Sequence, residues 1–149
     1  MKNDESSEQI TLVAQLAMMY PWLKVFASLN GVKLTIGQAK KAKRMGMNRG
    51  DADLRIVHKV GDFHNLYIEY KHSSVALYQQ NGEMYSKEHE KEQAGVLTHF
   101  QEQGDAATFA VGISNAIYAV QDYVQGKFVN PDVYHPCQYT QVKKLKISK

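Results

Sequence analysis

The spacing of hydrophobic positions changes along this chain, and the changes divide it into elements. Between residues 10 and 19 the apolar positions recur at helical intervals. Leu12, Leu16 and Met19 form one set, and Ile10, Val13, Ala14 and Ala17 another, so a largely buried helix is expected. Ser6 followed by Gln9 fits a capping box at its start, and Pro21 stops it after Tyr20. Residues 22–29 read as a first strand with Val25, Phe26 and Leu29 as its buried positions, and Asn30-Gly31 as the turn after it. Residues 36–45 read as a short basic helix closed by Gly46.

Two further strands follow, over residues 50–57 and 65–71, turned back on one another at Gly61-Asp62 as a hairpin. Residues 72–87 are polar and contain Asn81-Gly82. They read as a mobile loop or a short extra element, long enough to suggest contact with substrate. A helix over residues 87–103 carries Gln93, Val96, Leu97 and Phe100 on one face and stops at Gly104. Residues 108–112 form an apolar fourth strand. A last helix, residues 115–125, turns Ala116, Ile117, Val120 and Val124 to the sheet and closes at Gly126. The order implies an α/β sandwich, a small mixed sheet between helices. The domain is expected over residues 1–130, with a basic tail at 131–149 that adds a strand or stays flexible.

Composition narrows the class. A chain of 149 residues with 44% hydrophobic residues suits one domain with a real core. The apolar runs are too short and too interrupted by charge to span a membrane. The polar, acidic start has no signal-peptide core. The lone cysteine, Cys137, excludes an internal disulfide and points to a reducing cytoplasm. Cys137 has no nucleophile context, and the six histidines show no ligand spacing, so a structural zinc site is not expected. Met18-Met19 and the tyrosines read as core.

The net charge of +3 says less than its distribution. Residues 33–59 hold eight basic side chains against only Asp51 and Asp53. A basic field around two acids suits a polyanion approaching a metal site. Lys40, Lys41, Lys43, Arg44 and Arg49 are the candidate phosphate contacts, with a solvated charged surface as the plainer reading.

Side chains alternate along a strand, so Glu69 and Lys71 share one face while Leu66, Ile68 and Tyr70 share the other. Beside them, Asp53 stands where a glycine-containing loop enters the preceding strand. Two acids and a lysine so arranged can hold a divalent cation against a phosphate, the chemistry of phosphodiester hydrolysis. Singly, Asp53 reads as a strand-start residue and Glu69/Lys71 as a surface ion pair. Glu8 lies one turn before Leu12 on the same helix face. On its own it reads as an acid favoured by the helix dipole.

The ordered series Gly46-x-x-x-Gly50-x-x-Asp53-Leu54, then Leu66-Tyr67-Ile68-Glu69-Tyr70-Lys71, resembles the PD-(D/E)XK nuclease core, and within it the VRR-NUC branch. Glu8-Gln9 at the first helix, Asn30-Gly31, Gln93, and Gly104 with Ala116 and Tyr123 agree with that branch. Ala52 stands where the family usually has proline, and the segment between Lys71 and Gln93 is longer than in many relatives. The resemblance implies that Asp53, Glu69 and the Tyr70 backbone carbonyl bind Mg²⁺ or Mn²⁺, with Glu8 completing the acidic site directly or through water. It implies that Lys71 orients or deprotonates the attacking water and that Gln93 contacts the site or positions Lys71. It further implies a small, phage-encoded homodimer cutting branched DNA such as Holliday junctions in a bacterial or infected cell. Flap or restriction-type cleavage is the alternative within the superfamily, and a non-catalytic DNA-binding module is the alternative outside it.

Overall fold

The computed structural model describes residues 4–28, 34–47 and 51–141. Helix α1 (Asp4–Met19) is followed by strand β1 (Lys24–Ala27), helix α2 (Ile36–Arg44) and the hairpin of β2 (Leu54–Val60) and β3 (Phe63–Lys71). Helix α3 (Glu88–Glu102), strand β4 (Ala106–Val111) and helix α4 (Ile113–Val124) complete it. One sheet runs β1-β2-β3-β4, antiparallel except for the parallel pair β3-β4. This parallel pair needs a crossover, and α3 supplies it. The mixed α/β architecture expected from the apolar spacing is the one found. Among the described residues no helix is long and apolar enough to cross a membrane.

Strand alternation builds two cores. Leu54, Ile56, Leu66, Ile68 and Tyr70 face α1 and α4, where they meet Leu12, Leu16, Val120 and Tyr123. Ala107, Phe109 and Val111 face the other way and pack with Ala94 and Leu97 of α3, and with Leu77, Met84 and Val133. The glycine stops read from sequence are realised. Gly104 (φ 95°) and Gly126 (φ 74°) take the left-handed conformation after α3 and α4. In each case the glycine N–H and the one after it cap the helix: Gly104 and Asp105 donate to the carbonyls of Gln101 and Phe100, and Gly126 and Lys127 to those of Tyr123 and Asp122. The Gly61-Asp62 turn also stands where expected, between β2 and β3.

Several expectations are corrected. Helix α1 begins at Asp4, so Ser6 lies within it rather than capping it. It is not largely buried. Leu12 and Leu16 are, but Ile10 is 71% and Met18 83% exposed, and Met19 is exposed too. A helix laid against one sheet face meets it along a single stripe, and the remaining apolar positions stay outside. Strand β1 is shorter than residues 22–29 and lies at the sheet edge, with Phe26 exposed. Leu29 and the Asn30-Gly31 turn lie outside the described residues. Helix α2 has its own capping box, Thr35 with Gln38, and no buried residue. The stretch after Lys71 is a short extra element. Its turn carries Gly82, Tyr78 bridges Met84, and Leu77 and Met84 are buried. Beyond α4, Val133 and Tyr139 are buried, and the Tyr139 carbonyl accepts from the Val111 N–H.

Candidate active site

Two neighbouring strands and one helix converge at one end of the sheet. Leu54 pairs with Ile68, so Asp53 and Glu69 come next in the antiparallel register and present their side chains on the same face. Lys71 follows Glu69 on that face by alternation. Gln93 reaches it from α3, where it lies on the buried stripe with Ala94 and Leu97. All four polar side chains are buried: Asp53 is 7%, Glu69 4%, Lys71 6% and Gln93 9% exposed. Buried charge is costly unless paired or hydrogen-bonded, and here a chain of bonds meets that need.

The Lys71 Nζ donates to Gln93 Oε1 at 2.6 Å, and Gln93 Nε2 donates to Glu69 Oε1 at 2.7 Å. A glutamine amide can accept at one end and donate at the other, so Gln93 spaces the ammonium from the carboxylate and orients both. The ring Nε2 of His89, one turn earlier on α3, lies 3.2 Å from Gln93 Nε2. Asp53 Oδ2 accepts from the Tyr70 backbone N–H at 2.9 Å. The N–H and C=O of a strand residue point to the same side, so the Tyr70 carbonyl faces the Asp53 side as well. The Tyr70 side chain points the opposite way, into the α1/α4 core.

Electrostatically the two acids strain against each other. Burial pushes the Glu69 carboxyl far above the ordinary carboxylate range, and the charge of Asp53 pushes it further against the opposing pull of Lys71. Burial raises Asp53 too, held in check by its bonds to Glu69 and the Tyr70 N–H. Such a pair retains a proton unless a cation relieves it. The donor set therefore fits a hard divalent ion: two carboxylates and a carbonyl, all oxygen. Among the described residues no group of three or more His, Cys, Asp or Glu is arranged to hold a metal, so water and substrate would supply the remaining ligands.

Glu8, expected beside these acids, is placed apart from them. Its Oε1 accepts from the Tyr70 hydroxyl at 2.5 Å and the Ser73 N–H at 3.1 Å. Its Oε2 accepts from Ser73 Oγ at 2.7 Å and lies 3.1 Å from His72 Nε2. It follows the Tyr70 side chain to the other face and ties α1 to the end of β3. These bonds outweigh its partial burial and hold its carboxyl below the ordinary range. The α1 acid that senses the site is Glu5. Partial burial raises its carboxyl, the Lys71 charge lowers it, and its own charge acts on Glu69. The sequence reading named Glu8 alone, because only the packing of α1 against the sheet puts Glu5 within reach of Lys71. His89 was passed over although its place four residues before Gln93 puts both on one face of α3.

Of the basic candidates, Lys40, Lys41, Lys43 and Arg44 are exposed on α2. Arg49 lies outside the described residues. The Ser28 N–H donates to the Asp53 carbonyl at 2.9 Å, so the excursion that carries α2 departs and returns beside Asp53.

No family model matches the chain. No curated protein matches it. Among solved structures, one described as a "VRR_NUC domain protein" matches with a TM-score of 0.61 and 21% identity, over 93% of this chain and 97% of that one. At that identity the likeness is one of fold: the chain has the restriction-endonuclease-like α/β fold of a VRR_NUC domain protein.

Proposed function

We propose that this protein is a divalent-metal-dependent endonuclease that hydrolyses phosphodiester bonds in DNA, selecting branched substrates and acting as a homodimer. The observation that carries the reading is the buried chain from Glu69 through Gln93 to Lys71, beside the equally buried Asp53. Asp53, Glu69 and the Tyr70 carbonyl would hold Mg²⁺ or Mn²⁺. When bound, such an ion supplies positive charge to the phosphate and makes a coordinated water more acidic. Lys71 places an ammonium beside the acids, where it can donate to a phosphate oxygen or to the attacking water. Gln93 keeps that ammonium at a set distance from Glu69. Lys40, Lys41, Lys43 and Arg44 would meet flanking phosphates. A module that only bound DNA would gain nothing from two buried acids facing a phosphate. A two-fold pair of such sites would cut paired strands, which favours a dimer.

The test is cleavage of labelled four-way, flap and linear DNA with Mg²⁺ or Mn²⁺, with EDTA as a control. Wild type should cut the branched forms, and Lys71→Ala and Glu69→Gln should not. Equal rates in the variants would remove these residues from the chemistry. Salt-sensitive binding without cleavage under any condition would leave a binding module.

A further inference from the structure

The sheet face that carries Asp53, Glu69 and Lys71 is covered unevenly. Helix α3 lies over β4 and reaches as far as β3, where Phe100 stacks flat on Tyr67. Their ring centroids are 3.9 Å apart and the planes 10° from parallel. Beyond Tyr67 the face opens. The register runs one line across three strands, Phe26 opposite Arg55 and Arg55 opposite Tyr67. Directly opposed residues present their side chains on one face, here the face of Asp53 and Glu69. The Arg55 guanidinium sits over the Phe26 ring, 5.2 Å from its centroid, and its charge acts on the Tyr67 hydroxyl. Phe26 is 50% exposed although it is the largest apolar side chain on β1. Lys24, the next residue on that face of β1, is exposed as well. Asp51 and Asp105 act on the Tyr67 hydroxyl from the margins, while Lys24 and Arg55 bring positive charge to the open part.

We propose that this ledge, Phe26 and Arg55 with Tyr67 at its inner end, stacks an unpaired DNA base next to the phosphate at Asp53 and Glu69. The position of that phosphate rests on the nuclease reading above. Arg55 and Tyr67 each stand two residues along their strands from Asp53 and Glu69, about 7 Å. That distance spans one or two nucleotides at about 3.4 Å per base step. Flat aromatic and guanidinium surfaces take up bases irrespective of sequence. A base inside a duplex is already stacked on both faces, so only a splayed or unpaired one can use the ledge. The ledge therefore supplies a physical reason for choosing branched over linear duplex DNA, and the flanking cations match the strand's phosphates.

The experiment uses the full chain and a forked DNA carrying 2-aminopurine at the first or second unpaired position, with a fully paired duplex as comparison. Ca²⁺ replaces Mg²⁺ during binding. Wild type should quench the 2-aminopurine and prefer the fork. Phe26→Leu, which keeps apolar bulk without a π face, should lose the quenching and bind the fork roughly 5- to 150-fold more weakly. Phe26→Trp should retain both, and unchanged melting of each variant excludes misfolding as the cause. Absence of quenching by wild type, or quenching by Phe26→Leu equal to wild type, would overturn the ledge. Adding Mg²⁺ then separates the two readings. Cleavage without quenching sinks the ledge and keeps the nuclease, whereas quenching without cleavage does the reverse.

Discussion

The two faces of the sheet are built from the same strands and have opposite characters. On one, Leu54, Ile56, Leu66, Ile68 and Tyr70 are completely buried beneath α1 and α4. On the other, the alternate residues include Asp53, Glu69 and Lys71, and α3 covers that face only as far as Tyr67. A period of two separates these functions without any extra structure. The sealed face supplies the burial that holds β2 and β3 in register. The second face can then carry buried charge at a cost the first offsets. The lesson is that the site's geometry depends on residues that point away from it, most directly Tyr70. Its N–H meets Asp53 while its hydroxyl meets Glu8 on the far side.

That division can be broken from either side. The largest effect is expected on the sealed face. Ile68→Ala removes bulk from a position with no exposure and should cost about 2–5 kcal/mol in denaturant unfolding. Next comes the chemical face. Lys71→Ala should lower single-turnover cleavage by about 10²–10³-fold, read on protein whose circular dichroism matches wild type at the assay temperature.

A smaller effect, opposite in sign, sharpens the contrast. Burial raises the folded-state titration of Glu69 above its unfolded value. Ionisation therefore favours the unfolded chain, and the metal-free protein loses stability as pH rises above about 4.3 through the folded-state titration. Below that pH both states hold the proton and nothing is lost. Glu69→Gln removes the penalty and can still accept from Gln93. It should raise the melting temperature of the metal-free protein at pH 7 and leave it unchanged near pH 3. Mg²⁺ should stabilise wild type more than the variant. An unchanged or lowered melting temperature at pH 7 would contradict the electrostatic account. The smallest effect belongs to α1's outer side, where Met18→Gln should stay within about 0.5 kcal/mol because Met18 is 83% exposed.

Alternation and helix termination were legible in the sequence because both are local. Leu66, Ile68 and Tyr70 had to oppose Glu69 and Lys71, and Gly104 and Gly126 had to end their helices, whatever the rest of the chain did. Burial of α1 was misjudged because apolar residues all round a helix do not reveal how much of it a neighbour covers. Its partners, α4 and β3, lie far along the chain. The same limit applies to the acids. Glu5 and Glu8 are three residues apart on one helix, and which of them senses Lys71 depends on how α1 is rotated against the sheet. The sequence by itself determined which residues share a strand face and where helices stop, since short-range sterics decide both. Only the tertiary structure decided that Gln93 bridges Lys71 to Glu69, that Glu8 serves Tyr70, and that Phe26 and Arg55 lie open beside the acids. Those relations join elements whose contacts arise only after the chain has packed.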